Sequence, residues 1–152
     1  MTKTLITPSE VLSLAFSAED QLPPDTITEG DIMVAEERYI VPIVGRRLYG
    51  MLLLGRYPEL ITEHLAAPLA RYTRLVATDR MAYGFPHSSA GRSAEDEERT
   101  ERLKHSLRTE GTALLRRMTH FLGLHRADYP EYNPYDNPLT HCTLDGNMVT
   151  IF

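Results

Sequence analysis

Apolar residues recur along most of this chain at intervals of three and four, the spacing of one face of an α-helix. Threonine, serine or proline near acidic residues precedes several of these stretches, and glycine or a proline-containing loop follows them, as expected for helix ends. The pattern predicts helices over 8–16, 28–41, 46–54, 59–83 and 93–124. The chain is therefore predicted to be mainly α, a single-domain helical bundle of about five helices.

The most informative stretch is 32–55, in which an amphipathic helix, a turn and a second apolar helix follow one another. The inner face of its first helix is predicted to be Ile32, Ala35, Tyr39 and Ile40. Pro42 lacks an N–H group and disfavours helical geometry in the residue before it, so we expect a break or kink there. Gly45 allows two backbones to approach closely, and together the two residues predict an elbow. By similar reasoning, Pro68 is expected to start a fresh helix.

The last third of the chain changes in character. Ser93 is predicted to cap a long final helix. The apolar stripe of that helix is predicted to be Leu103, Leu107, Leu114, Met118 and Phe121. Beyond it, tyrosines alternate with prolines, which favours an extended, turn-rich path, and Asp145-Gly146 between two apolar runs is typical of a β-hairpin. The sequence thus predicts a helical domain, 1–126, and an extended C-terminal arm, 127–152, which ends in a short hairpin and is not an independent domain.

The composition is typical of one soluble globular domain. Of 152 residues, 42% are hydrophobic and 24% are charged, and a net charge of −5 does not favour nonspecific binding to nucleic acid. The single cysteine, Cys142, excludes an intrachain disulfide and is typical of a reducing compartment. The first residues lack the pattern of a secretory signal peptide, and no apolar run approaches the roughly 18 residues that cross a bilayer. We therefore expect neither a membrane nor a specific nucleic-acid sequence as a partner.

Residue types that support catalysis or metal binding are present, but they form no established motif. None of the six histidines makes a His-x-x-x-His pair, and no Glu-x-x-His motif occurs. Cys142 and His141 are adjacent, so in a strand their side chains would point to opposite faces. Ser88 and Ser89 lack a Gly-x-Ser-x-Gly context. The sequence thus predicts no catalytic residue, no metal and no cofactor.

Arginines and tyrosines are the residues best suited to contact another protein, since both are enriched in protein interfaces. One arginine pair follows the elbow and a second lies late on the final helix. The tyrosines of the arm have no local core to enter, so we expect them to pack against another part of the fold or another chain. The predicted interface residues are Arg46, Arg47, Tyr49, Arg116, Arg117, Tyr129, Tyr132 and Tyr135.

The elbow also carries a family resemblance. The residues concerned are Asp31-Ile32, Ala35-Glu36, Tyr39-Ile40, Pro42-Ile43-Val44-Gly45 and Leu48-Tyr49. This pattern resembles the small head–tail connector (adaptor) proteins of tailed bacteriophages, and most of all the branch found in phages and prophages of Bacteroides-type bacteria. A helix around 67–83, a charged helix from Ser93 and Tyr129-Pro130-Glu131-Tyr132 extend the resemblance over most of the chain.

The resemblance implies a helical fold and a structural, non-enzymatic role. Such proteins assemble as a homo-oligomeric ring beneath the portal and provide the docking surface for the tail, so portal and tail proteins are the implied partners. The implied location is the bacterial host cytoplasm during assembly and then the virion. We also expect the arm, 127–152, to reach over a neighbouring subunit. Two alternatives stay open: a small helical adaptor or regulatory protein that binds one protein partner, and a helical enzyme with a dispersed site.

Overall fold

The computed structural model describes residues 3–20, 24–83, 93–140, 142–145 and 148–151. Five α-helices make up most of this part of the chain, which confirms the prediction of a mainly α fold. They are α1 (Pro8–Ala15), α2 (29–44), α3 (Arg46–Leu53), α4 (58–83) and α5 (Ala94–Leu124). Single turns of 3-10 helix lie at Ala18–Asp20, Pro24–Thr26, Arg126–Asp128, Pro134–Asp136 and Pro138–Thr140.

Local side-chain caps start three of the helices where the sequence predicts them. Thr7 and Thr28 each accept a hydrogen bond from the third backbone N–H of their helix, and an acidic side chain at that third position returns a bond to the threonine N–H. Ser93 accepts from the N–H of Asp96 at the start of α5. Each cap satisfies backbone donors that the first turn of a helix leaves without a partner. These helix starts therefore follow from residues close in sequence.

Two helices continue through an internal proline, so of the break or kink predicted at Pro42 the break does not occur, and the predicted fresh helix at Pro68 is wrong. A proline removes one N–H and its ring crowds the carbonyl one turn earlier. In both helices a π turn lies just before the proline, at Glu36–Ile40 in α2 and at Ile61–Leu65 in α4. The N–H after each π turn donates to a carbonyl five residues back. We attribute the continuity to this shifted hydrogen-bond register, since π turns accommodate local disruption inside α-helices.

The break between α2 and α3 falls at Gly45. Its backbone has φ 82° and ψ 155°, a conformation that is essentially restricted to glycine. Gly55, with φ 88°, follows α3 as predicted. The elbow is thus a single glycine turn, and Pro42 lies inside the helix before it.

The helix α4 occupies the centre of the core and packs against α1, α2 and α5. Along α5 the buried positions are Lys104, Leu107, Gly111, Leu115, Met118 and Leu122. The predicted stripe is correct at Leu107 and Met118 but its other members are only half-buried. The buried face also includes Gly111, which faces the ring of Tyr72 and, having no Cβ, lets the two helices approach.

The arm is folded against the helices over residues 126–140. Tyr129 and Tyr132 are only 9% and 5% exposed, so of the two expected packings these tyrosines adopt the one against another part of the fold. The amide of buried Asn137 donates to the hydroxyls of Thr119 and Tyr132, at 3.1 and 2.9 Å, and so ties the arm to α5. The predicted extended arm is therefore compact in this part.

In the last part of the arm, the backbones of β1 (Cys142–Asp145) and β2 (Met148–Ile151) lie antiparallel, with Cys142 opposite Ile151. The residues of the turn between them, together with His141, Ser88 and Ser89, lie outside the described residues. The predicted hairpin accordingly stays a prediction.

Candidate functional site

An open groove of about 710 Å³ lies between the Gly45 turn and the folded arm. We call it the elbow groove. It is lined by Val41, Pro42, Gly45, Arg46, Arg47, Pro130, Glu131, Tyr132, Asn133 and Asp136. The structure thus brings the arginine pair that follows the elbow together with a tyrosine of the arm, residues that the sequence separates by more than 80 positions.

A buried carboxylate braces the elbow from inside. Glu36 is 0% exposed, and its two oxygens accept hydrogen bonds from the backbone N–H of Leu5 and from the hydroxyl of Tyr49, each at 2.6 Å. Burial raises the pKa of Glu36 above its ordinary value, although the two hydrogen bonds act in the opposite direction. Burial and the bond to Glu36 also raise the pKa of Tyr49. One side chain thus joins the N-terminal segment, α2 and α3.

An ion pair braces the elbow from outside. The guanidinium of Arg46 donates two hydrogen bonds to the carboxylate of Glu37, at 3.2 and 3.0 Å. This bidentate pair is exposed, so it contributes little free energy, but it fixes the direction of the side chain. Arg47 is exposed and has no ion-pair partner among the described residues. Of the two arginines, Arg47 is therefore the one available to a partner.

Hydrogen bonds also hold the opposite wall of the groove. Glu131 accepts from the hydroxyl of Tyr57 at 2.8 Å, and Asp136 accepts from the amide of Asn133 at 3.0 Å. The hydroxyl of Tyr132 accepts from Asn137. The groups that hold both carboxyl groups in the wall of the groove are thus a hydroxyl and an amide.

The other predicted interface residues are distributed over the surface and the core. Arg116 and Arg117 are exposed on α5, and Tyr135 is 77% exposed on the arm. Tyr49 is half-buried, and its hydroxyl donates a hydrogen bond to Glu36. The ring of Tyr129 packs edge-on against the ring of Tyr57, with the two ring centroids 4.9 Å apart. The rings of Tyr129 and Tyr132 contact this chain's own core.

A second, shallow groove of about 460 Å³ runs along the exposed side of α5. We call it the α5 groove. It is lined by His105, Arg108, Thr109, Thr112, Ala113 and Arg116. The structure therefore places the two predicted arginine pairs at two different grooves, with Arg116 as the member of the second pair that lines its groove.

Sequence reasoning missed Glu36 and Glu37 as parts of the site. A signal for Glu36 was present, since it lies four residues after Ile32 and four before Ile40 on the apolar face of α2. A carboxylate at such a position is expected to be buried with hydrogen-bond partners. Its partners could not be inferred because Leu5 and Tyr49 lie on other elements.

The chemistry of the described residues is that of hydrogen bonding and ion pairing. In these residues, no group of three or more histidine, cysteine or acidic side chains is placed to hold a metal ion. No described helix combines the length and apolar character that crossing a membrane requires. No protein-family model matches the chain, and no match to it was found among curated proteins or solved structures.

Proposed function

We propose that this chain is a structural, non-enzymatic protein that assembles as a homo-oligomeric ring between a portal and a tail. It would act in the manner of the phage head–tail connectors that its elbow resembles. The observation that supports the proposal most is the elbow groove. The segment that carries the resemblance forms one wall of this open surface, and its arginines and tyrosine are typical of protein interfaces.

The construction of the groove also favours a docking role. Arg46 is held by Glu37, Glu131 by Tyr57 and Asp136 by Asn133, so the walls are ordered before a partner arrives. A surface that is already ordered loses less conformational entropy on binding. Arg47 then offers one unengaged cation for a carboxylate on the partner.

A ring needs two different contact surfaces on each subunit, because its interfaces are heterologous and close by rotation. The elbow groove provides one such surface, and the exposed side of α5 provides another with a different charge pattern. Two chemically distinct surfaces on one small chain are consistent with subunits that contact each other head to tail.

The assembly state of the purified protein tests the proposal. We expect light scattering to give a mass many times that of one chain, and electron micrographs to show rings, with the protein alone or after addition of a portal protein. A monomer or dimer under both conditions would contradict the ring and favour the adaptor alternative. The absence of portal, terminase and capsid genes near this gene would also count against the proposal.

The substitution Arg47→Glu tests the elbow groove itself. Reversing an exposed charge at an interface is expected to weaken assembly about tenfold or more, which corresponds to roughly 1.4 kcal/mol. The matched control is Arg38→Glu, an exposed arginine of α2 outside this groove. Both variants should keep the helical circular dichroism of the parent. Equal assembly of the two variants would exclude the groove as the contact surface.

A further inference from the structure

The first turns of α5 stand apart from the rest of the fold. Over 94–102 every residue except Thr100 is exposed, whereas the helix is buried against α4 from Lys104 onward. A stretch of this length spans roughly 13 Å. We call it the acidic spur, since it carries five acidic side chains and two arginines, a net charge of −3. It is a helical surface without a partner among the described residues.

The α5 groove has the opposite charge. Arg108 and Arg116 line it, and no acidic residue does. Between them lie the small side chains of Thr109, Thr112 and Ala113. Short side chains allow another helix to approach closely, because interaxial distance depends on the side chains at the contact. The groove therefore suits a helix that carries negative charge.

The spur cannot occupy the groove of its own chain. Both lie on one uninterrupted helix, Ala94–Leu124, so they are held apart along its axis. A contact between these complementary surfaces requires a second molecule. The same reasoning makes the contact heterologous, since each copy offers one spur and one groove to different neighbours.

We propose that the acidic spur of one copy docks in the α5 groove of the next copy in the ring. This inference rests on the proposed function and adds one contact, between the acidic spur and the α5 groove, to those between neighbouring subunits. Opposite charges accelerate encounter and fix the register of such a contact. Because the charges are exposed, the contact weakens as salt rises.

Two sets of neutral substitutions isolate one contact. The spur variant carries Glu95→Gln, Glu97→Gln and Glu98→Gln, and the groove variant carries Arg108→Gln and Arg116→Gln. All five side chains are exposed, so both variants should fold. We expect each variant alone to lose assembly at 50 mM salt. An equimolar mixture should form a complex of two copies, because it contains one intact spur and one intact groove per pair.

Matched controls remove the same amount of charge from other surfaces. They are Glu19→Gln with Asp25→Asn and Glu29→Gln for the spur, and Arg38→Gln with Arg56→Gln for the groove. These variants should assemble as the parent does. Sedimentation velocity at 50 and 500 mM salt measures all mixtures, and we expect the mixed pair to dissociate at least about tenfold more readily at the higher salt.

The outcomes separate the two proposals. If the parent forms rings and both neutral variants do so equally well, the spur contact is wrong and the ring stands. If the parent forms no ring with portal present but the mixed variants pair, the spur contact stands and the ring is wrong. A parent that stops at two copies would overturn the head-to-tail arrangement, because it would indicate reciprocal pairing of two α5 helices.

Discussion

Replacing Gly111 by alanine should destabilise the protein, although Gly→Ala inside a helix ordinarily stabilises it. A Cβ at this position would lie 2.7 Å from Cζ and 2.8 Å from Cε2 of Tyr72. The ring cannot move aside freely, because it stacks on Tyr39 with centroids 4.1 Å apart and its hydroxyl shares a 2.9 Å hydrogen bond with Thr112. The two helices would therefore have to separate or the stack would have to break.

The competing magnitudes can be compared directly. Alanine gains about 1 kcal/mol over glycine in helix propensity. Overpacking a core costs about 1–3 kcal/mol, and loss of the hydroxyl bond to Thr112 costs about 1 kcal/mol more. The net expectation for Gly111→Ala is a loss of about 1–3 kcal/mol in the free energy of unfolding. Since this cost arises from the Tyr72 ring, Gly111→Ala should destabilise a chain that already carries Tyr72→Leu by less than it destabilises the parent.

Urea unfolding followed by circular dichroism measures this difference. The control is Gly123→Ala on the same helix, where a Cβ would meet nothing within 4 Å. That variant should be as stable as the parent or more stable by up to about 1 kcal/mol. If Gly111→Ala matched Gly123→Ala in stability, the reasoning about the close approach of α4 and α5 would be refuted.

Two further predictions concern the elbow. Gly45→Ala should lower the free energy of unfolding by about 1–3 kcal/mol, because alanine is strained at φ 82° and ψ 155°. The control Gly50→Ala, inside α3, should not lower it. Thermal unfolding measures both variants, and equal melting temperatures would contradict the prediction. Burial raises the folded-state pKa of Glu36, so its contribution to stability is fully present below the ordinary glutamate pKa and is lost as pH rises through the raised pKa. In a Glu36→Gln variant, the glutamine side chain can still accept a hydrogen bond from the N–H of Leu5 and donate one to the hydroxyl of Tyr49. The free energy of unfolding of this variant, measured in urea, should therefore fall less than that of the parent as pH rises over this range. An equal pH dependence of the two proteins would disprove the assignment.

The parts of the fold that local chemistry determines could be predicted from the sequence. Thr7, Thr28 and Ser93 start helices where expected because a cap needs only residues within one turn. The predicted apolar face of α2 is confirmed at Ile32 and Ile40, because the buried positions of a packed helix recur every 3.6 residues. These features depend on residues that are close in sequence and can therefore be predicted from it.

The parts that depend on distant contacts could not be predicted. The π turn before Pro42 lets the helix continue through that proline, and the helix propensities of single residues do not predict a π turn. Lys104 is buried because its amine meets Asp79 of α4 at 2.8 Å, a partner 25 positions away. Without knowledge of such a partner, a lysine is expected to be exposed, because lysines are rarely buried unless they are paired.

The candidate site was partly predictable for the same reason. The Arg46-Arg47 pair is visible in the sequence, and the structure places both arginines in the elbow groove. The opposite wall depends on how the arm folds back through Asn137, which hydrogen bonds to Thr119 and Tyr132 across the chain. No periodicity in the sequence indicates that contact.

The π turn at Glu36–Ile40 has a consequence for insertions and deletions in this segment. A π turn contains about one residue more than the α-helical turn it replaces, and each helical residue contributes a rotation of about 100° and a rise of 1.5 Å. Because the π turn accommodates that extra residue, deleting one residue there would restore a regular α-helix and would leave Glu29–Ala35 in nearly the same rotation relative to Val41–Val44. Deleting a residue within Glu29–Ala35 would instead rotate the positions before it by about 100° and turn part of the buried face toward solvent. Length variation between homologous chains should therefore be tolerated best at this turn.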